Sequence, residues 1–189
     1  MKIGIYGGSF NPPHIGHKRL VSNILNERLV DKIIILPTNN RYNKDDLANL
    51  THRVNMLKEC FDDVDNVEIE SEDIIKSLDY TYMALKYYSE EYSDADIFFI
   101  MGSDNLREFS TWKFWQLIVS QYNLIVVIRN EDKVSELENV IPNARIEFVE
   151  AVGDLSSTKI RKSIKDGKSF MWFLDEGVEK YIKENNLYK

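Results

Sequence analysis

Residues 2–17 read KIGIYGGSFNPPHIGH, and this stretch indicates the type of fold. The apolar run at 2–6 predicts a short β-strand, which two glycines end. Turn-forming residues follow, and over 14–29 the apolar side chains recur at helical spacing. A strand that enters a helix through a glycine-rich turn predicts the first βα unit of a parallel sheet.

Further strand-like runs alternate with helical segments along the chain. Short apolar runs predict buried strands at 32–36, 67–70, 96–101, 123–129 and 146–149. Helical spacing predicts helices at 51–61, 80–92, 112–120 and 134–139, and two more from 157 onward that break near 167. This alternation predicts an α/β fold, a Rossmann-like doubly wound parallel sheet of five or six strands. We expect residues 1–189 to form one domain, with a sheet body at 1–150 and a C-terminal helical tail packed on it at 151–189.

Composition excludes several classes of protein. The 189 residues are 43% hydrophobic and 29% charged, which is typical of a folded globular domain and excludes disorder. No run approaches the roughly 20 apolar residues of a membrane helix, and the N-terminus does not resemble a secretion signal, so we expect a cytoplasmic protein without a membrane partner. One cysteine and three histidines predict no disulfide and no metal site built by protein ligands. A net charge of −7 argues against nucleic acid as a partner but permits a local site for small anions.

The glycine-rich turn and the start of the first predicted helix favour a phosphate site. Gly7, Gly8 and Gly16 let backbone N–H groups approach an anion closely, and the helix N-terminus adds partial positive charge. His14 and His17 are three residues apart, so both can point to one side of the first turn. There they can donate hydrogen bonds to phosphate oxygens and stabilise the charge that develops during phosphoryl transfer. A purely helix-capping role is the alternative, which the presence of two of the chain's three histidines in this motif disfavours.

A second candidate anion site lies at 155–161, LSSTKIR. Ser156, Ser157 and Thr158 precede a helical pattern, which by itself is ordinary N-cap chemistry. Lys159 and Arg161 add positive charge one turn into that helix, and a guanidinium can bind phosphate oxygens bidentately. The combination favours an anion cradle over a simple cap.

Two further signals follow the fourth predicted strand. Asp104 comes directly after Gly102, where a carboxylate at the end of a parallel strand can accept hydrogen bonds from ribose hydroxyls. Trp112 begins the next predicted helix and can stack on a planar ring. Core packing is an equally good explanation of this tryptophan, and capping of a short helix is the alternative for the aspartate.

Together these motifs resemble the His-x-Gly-His nucleotidyltransferases, and within that superfamily the bacterial nicotinate-nucleotide adenylyltransferases. The matching strings are GGSFNPPHIGH at 7–17, GSDNL at 102–106 with Thr111-Trp112, SSTKIR at 156–161 and the tail at 177–188. Their order and spacing match over essentially the whole chain.

The resemblance implies a reaction of NAD biosynthesis in which ATP and nicotinate mononucleotide give deamido-NAD and pyrophosphate. The 5′-phosphate of the mononucleotide attacks the α-phosphorus of ATP in line, so no protein nucleophile is needed and the protein positions and stabilises. Mg²⁺ is implied as a substrate-bound cofactor, held by phosphates and water. The partners implied are the two nucleotides, and a homo-oligomer is left open.

The resemblance also implies roles for individual residues. It gives catalytic roles to His14, His17 and Arg161. It places ATP against Gly7, Gly8, Ser9, Phe10, Gly16, Gly102, Asp104, Ser156, Ser157 and Thr158. It places the mononucleotide against Asn11, Lys44, Thr81, Trp112 and Arg129.

Two positions depart from the family pattern, and two alternatives stay open. At 40–44 the chain reads NRYNK where relatives often carry a Pro-Pro-His-Lys-like segment, so that only Lys44 keeps the basic position. Asn11 stands where relatives commonly have aspartate. The alternatives are an adenylyltransferase with another acceptor (nicotinamide mononucleotide, phosphopantetheine or FMN) and a nucleotide sensor without turnover.

Overall fold

A computed structural model describes residues 1–39, 46–129, 132–151, 153 and 155–189. Among these residues, six strands form one sheet: β1 (Lys2–Gly8), β2 (Lys32–Pro37), β3 (Val67–Ile69), β4 (Asp96–Gly102), β5 (Asn123–Ile128) and β6 (Ile146–Glu150). The spatial order is β3-β2-β1-β4-β5-β6, and all neighbouring pairs are parallel. The predicted Rossmann-like parallel sheet is therefore confirmed.

Helices cover both faces of the sheet. In the described part of the chain they are α1 (Ile15–Asn26), α2 (Leu50–Cys60), α3 (Glu72–Ser77), α4 (Thr81–Glu91), α5 (Ser103–Glu108), α6 (Trp115–Gln121), α7 (Val134–Leu137), α8 (Ser157–Lys165) and α9 (Glu176–Glu184). Short 3₁₀ turns lie at Phe109–Thr111 and Met171–Phe173. None of these helices is long and apolar enough to cross a membrane.

Alternating side chains along the strands lie in two apolar layers, one on each face of the sheet. Ile33 and Ile35 of β2 point into one layer, and Ile34 between them points into the other. The first layer also contains Val178 and Ile182 of α9, so the C-terminal helices pack in the same core as the strands. This packing fixes the C-terminal segment close to the first loop of the sheet.

The strand order reverses between β1 and β4, and this reversal positions the site. The chain runs from β1 outward to β3, then crosses back to β4 on the other side of β1. The loops that follow β1 and β4 therefore leave the sheet in opposite directions and open a crevice at its carboxyl edge. The motifs at 7–17 and 102–106 both begin at that edge.

Two short helices were not predicted, and one predicted helix begins later than expected. Helices α3 and α5 are only six residues long, which is too short for apolar periodicity to reveal them. The helix predicted at 112–120 begins at Trp115 because Phe114 adopts a left-handed backbone conformation (φ 63°) that interrupts it. Trp112 consequently precedes the helix and stands at the crevice.

Candidate active site

Two adjoining cavities open at the carboxyl edge of the sheet. The larger has a volume of about 640 Å³ and the smaller of about 480 Å³. Both are lined by Gly7, Gly8 and Ser9 at the end of β1, and by Asn105 of α5. Two ligands bound in these cavities would therefore meet beside the glycine turn.

The structure divides the predicted site residues between the cavities. The larger is lined by every residue predicted to be catalytic or to bind ATP: His14, His17, Arg161, Gly7, Gly8, Ser9, Phe10, Gly16, Gly102, Asp104, Ser156, Ser157 and Thr158. Thr81 and Trp112, predicted on the mononucleotide side, line the smaller. Asn11 and Arg129, predicted on that same side, line the larger cavity. Lys44 lies outside the described residues.

The two histidines form a stacked pair at the start of α1. Their ring centroids are 3.7 Å apart with an angle of 23° between the ring planes. The main-chain N–H of His14, the N-cap residue, donates to Nδ1 of His17 over 3.2 Å. Because Nδ1 accepts, the proton of the neutral His17 ring is carried by Nε2. This tautomer leaves an N–H donor available to a ligand in the larger cavity.

Both imidazoles are neutral near pH 7 when no anion is bound. Burial, with a smaller contribution from the Arg129 guanidinium, lowers the pKa of His14 to about 4. Burial, then the neighbouring His14 and Arg129, lowers the pKa of His17 well below its usual range. Neutral imidazoles can offer N–H donors to an anion, and the positive charge of the larger cavity comes from Arg129, Lys159 and Arg161.

Gly102 allows two charged side chains to sit at the end of β4. A β-carbon added there would collide with the Asp104 carboxylate and lie 3.0 Å from Nε of Arg129. The carboxylate is 3.5 Å from Nη1 of Arg129, and both side chains remain about half exposed. Asp104 thus keeps oxygens that can accept hydrogen bonds from a sugar.

The N-terminus of α8 is tied to the loop that precedes α1. Oγ of Ser157 donates to the carbonyl of Pro12 over 2.8 Å. Nη1 of Arg161 donates to the carbonyl of Asn11 over 2.9 Å. Ser156 caps the helix by accepting from the Lys159 N–H at 3.3 Å. Two distant motifs therefore form one wall of the larger cavity, with the positive end of the α8 dipole at that wall.

Asn11 is a structural junction in this wall. Its side chain is 4% exposed. Nδ2 donates to the carbonyl of Asp46 over 2.8 Å, while Oδ1 accepts from Ala48 N–H at 3.0 Å and from the Tyr188 hydroxyl at 2.7 Å. Both polar atoms of the amide are thus engaged by other residues of the protein, and the mononucleotide contact that the resemblance implied for Asn11 stays a prediction.

Arg53 is a buried cation that sequence reasoning missed. It is 0% exposed, and burial lowers its pKa to about 10. Its guanidinium donates to the carbonyls of Ala48 (3.0 Å), Ser9 (2.9 Å) and Thr38 (2.5 Å). One side chain thus joins three loops at the carboxyl edge. Its burial could have been inferred from its position on the apolar face of α2, three residues after the buried Leu50.

Replacing Arg53 by methionine should destabilise the fold by about 3 kcal/mol, because the carbonyls of Ser9, Thr38 and Ala48 lose the buried guanidinium that donates to them. The measurement is the free energy of unfolding in urea. The matched control is Arg19→Met at an exposed position of α1, which should change stability by less than about 0.5 kcal/mol. Equal effects of the two substitutions would show that the guanidinium does not hold the loops together.

The smaller cavity combines an aromatic wall with hydrogen-bond donors. Trp112 packs against Phe109 (centroids 5.3 Å apart) and Phe99 (6.1 Å) and stays partly exposed. Thr81 opens α4, and the N-cap residue Tyr80 makes no side-chain cap hydrogen bond, so its side chain does not occupy the N–H groups of Thr81 and Tyr82. Lys113 also lines the cavity, with Nζ 3.0 Å from the Tyr80 hydroxyl. A planar ring bearing an anionic group fits this chemistry.

The donor set does not fit a metal held by the protein alone. The described residues contain no group of three or more His, Cys, Asp or Glu that could hold an ion. Among the described residues that line the larger cavity, Asp104 is the one carboxylate. A divalent cation bound mainly by ligand phosphates and water fits such a site.

The parallel sheet and the two adjoining cavities indicate a nucleotide-transferring protein. Comparison with known proteins shows which family of this class the chain belongs to. Residues 5–163 match the family model described as cytidylyltransferase-like, and the chain belongs to that family.

Full-length relatives show which group of this family the chain resembles. A "probable nicotinate-nucleotide adenylyltransferase" of Borreliella burgdorferi is 34% identical over 100% of this chain and 97% of its own length. A protein of the same name from Caldicellulosiruptor bescii is 34% identical over 100% of both chains. The chain is a member of the nicotinate-nucleotide adenylyltransferase family, as its motifs predicted.

Solved structures agree on the fold. Plasmodium falciparum nicotinic acid mononucleotide adenylyltransferase, complexed with NaAD, superposes with a TM-score of 0.84. The alignment covers 99% of this chain and 97% of that one at 22% sequence identity. At this identity the likeness establishes the shared architecture.

Proposed function

We propose that the chain transfers AMP from ATP to nicotinate mononucleotide and releases pyrophosphate, forming deamido-NAD. The observation that carries the proposal is the pair of cavities that meet at Gly7–Ser9, one lined by phosphate-binding groups and the other by an aromatic wall and helix N–H donors. ATP occupies the larger cavity, with its ribose near Asp104 and its β- and γ-phosphates near Ser157, Thr158 and Arg161. The family membership and the names of the relatives support the same assignment.

The catalytic step requires positioning and charge stabilisation. The mononucleotide phosphate attacks the α-phosphorus of ATP, the bond to the bridging oxygen breaks, and pyrophosphate leaves with the electron pair. The N–H of His17 donates to an α-phosphate oxygen as charge develops, and His14 supports the orientation of that ring. Arg161 stabilises the leaving pyrophosphate. The described residues offer no ligand cluster for Mg²⁺, so an ion that enters with ATP would depend on the nucleotide and water for its ligands, and would neutralise part of the triphosphate charge.

The acceptor occupies the smaller cavity. Trp112 stacks on the pyridine ring, and the N-terminus of α4 with Thr81 provides donors for the nicotinate carboxylate. Lys44 binds the mononucleotide phosphate. An uncharged carboxamide gains less from a helix N-terminus than a carboxylate does, which favours nicotinate over nicotinamide as the acceptor.

Nicotinate mononucleotide should be preferred over nicotinamide mononucleotide by at least about tenfold in kcat/KM. A tenfold preference corresponds to about 1.4 kcal/mol, roughly the contribution of one charge-assisted hydrogen bond. The measurement is pyrophosphate release with ATP and Mg²⁺, with FMN and phosphopantetheine as further acceptors. Turnover with one of the other acceptors would keep the chemistry and change the substrate. No release with any acceptor would overturn the enzymatic assignment in favour of a nucleotide sensor.

The proposed reaction also implies how the domain is organised, where it acts and which partners it has. Residues 1–189 act as a single nucleotidyltransferase domain in the cytoplasm, with small nucleotides as partners. The net charge of −7 supports a site restricted to small anions over a nucleic-acid surface.

A further inference from the structure

Tyr188, in the C-terminal tail, contacts the segment that leads into the histidine pair at the start of α1. The hydroxyl of Tyr188 donates to Oδ1 of Asn11 over 2.7 Å, across 177 positions in the sequence. We propose that Tyr188 is a positioning residue for the nucleotidyl transfer: through Asn11 it holds the segment 11–14 in the geometry that the reaction requires. This inference rests on the proposed function.

The C-terminal tail takes an unusual path to make this contact. After α9 ends, Asn186 and Tyr188 both adopt left-handed backbone conformations, with φ of 53° and 64°. The N–H of Leu187 donates back to the carbonyl of Ile182 over 3.1 Å, so the chain reverses. A bulky residue with positive φ is uncommon and persists where its surroundings hold it. The Tyr188 ring provides such a hold, since it packs against the apolar core that contains Val178.

The contact determines how the Asn11 amide is oriented. Oδ1 accepts from two donors, Tyr188 and the N–H of Ala48, while Nδ2 donates to Asp46 on the other side. Removing the tyrosine hydroxyl leaves Oδ1 with a single partner. The rotation of the amide is then less restricted in a site where it is 4% exposed.

Asn11 transmits this constraint to the catalytic groups. Its main-chain carbonyl accepts from Nη1 of Arg161 at 2.9 Å, and His14 follows three residues later as the N-cap of α1. The adjacent Pro12 carbonyl accepts from Ser157. A shift of Asn11 therefore disturbs the wall of the larger cavity that the 11–14 segment forms with Ser157 and Arg161.

Tyr188 acts through Asn11 and does not touch the reactants. It is absent from the described residues that line either cavity. Small displacements of positioned groups lower the rate of transfer more than they weaken ground-state binding. The expected signature is a reduced kcat with a nearly unchanged KM.

Tyr188→Phe tests the proposal, with Tyr181→Phe as the matched control. Tyr181 lies on α9, and its hydroxyl contacts Nδ1 of His52 and accepts from Nδ2 of Asn55, each at 3.0 Å. Both variants lose one tyrosine hydroxyl that links the C-terminal segment to the rest of the molecule. We expect kcat to fall about tenfold in Tyr188→Phe with KM for ATP within about twofold, and Tyr181→Phe to keep kcat within about twofold, at similar losses in Tm.

A structural readout keeps the test independent of the reaction. Amide hydrogen exchange of residues 9–17 should accelerate in Tyr188→Phe and not in Tyr181→Phe. If the wild-type protein turns over no acceptor, the proposed function fails, and this exchange measurement still decides whether Tyr188 holds the loop. Unchanged exchange, an unchanged kcat, or an equal loss of kcat in both variants would overturn the positioning role.

Discussion

Replacing His17 by alanine should lower kcat by about 10³-fold, while KM for ATP changes less than about fivefold. The Nε2–H of this ring is directed by the His14 main-chain bond to Nδ1, so it is preorganised to donate as the α-phosphate gains charge. Removing a preorganised donor mainly destabilises the transition state. Steady-state pyrophosphate release at varied ATP measures both constants.

The control for this substitution is His52→Ala. His52 lies on α2, where its Nδ1 contacts the Tyr181 hydroxyl, and it lines neither cavity among the described residues. Its removal should leave kcat within about twofold of the wild-type value. A His17→Ala variant that keeps its kcat, or loses affinity for ATP alone, would remove His17 from the catalytic step.

Replacing Arg161 by methionine should lower kcat/KM by about 10²-fold or more. The substitution removes the cation assigned to the leaving pyrophosphate and also the donor to the Asn11 carbonyl. Arg161→Lys should recover only part of the loss, because an ammonium restores the charge without the planar two-point donor. The same assay, at limiting ATP, measures kcat/KM for both variants.

Lys162→Met is the control for general charge on α8. Lys162 is the next residue of the helix and is exposed, so its removal alters the local potential but no described contact in the cavity wall. Its expected effect on kcat/KM is less than about threefold. An equal loss in Arg161→Met and Lys162→Met would mean that helix charge matters and the guanidinium geometry does not.

The sequence carried most of the information about the fold. Local patterns were sufficient for β1, the glycine turn and α1, because an apolar strand, two glycines and a 3.6-residue repeat follow each other without interruption at 2–26. The parallel sheet followed from the alternation of strands and helices. Elements shorter than two turns, such as α3 and α5, left too few residues for a periodic signal.

The candidate site was predictable where motifs coincide with strand ends. Gly102 ends β4, and His14 follows the loop after β1, so both lie near the carboxyl edge of the sheet. The structure places them in one cavity with Ser157 of α8. The division into two cavities could not be derived, since it depends on where loops distant in the sequence pack. Arg129 shows this: it follows β5 but reaches the Asp104 carboxylate on the larger cavity's side.

Supporting residues were the least predictable part of the site. Arg53 lies outside the matching motifs, and the tail at 177–188 matched the family without implying a role for Tyr188. The contacts of these two residues span 44 and 177 positions. A single hydroxyl or guanidinium that satisfies buried carbonyl or amide groups leaves no periodic trace in a sequence. Only the three-dimensional arrangement shows that these side chains contact the loop between β1 and α1, which leads to the histidine pair.

Product analysis with radiolabelled ATP shows whether the chain transfers AMP to nicotinate mononucleotide. The protein is incubated with nicotinate mononucleotide, Mg²⁺ and ATP labelled at either the α- or the γ-phosphate, and the products are separated by chromatography. We expect the α-label to appear in deamido-NAD and the γ-label in pyrophosphate. Transfer of the γ-label to the mononucleotide, or retention of both labels in ATP, would contradict AMP transfer.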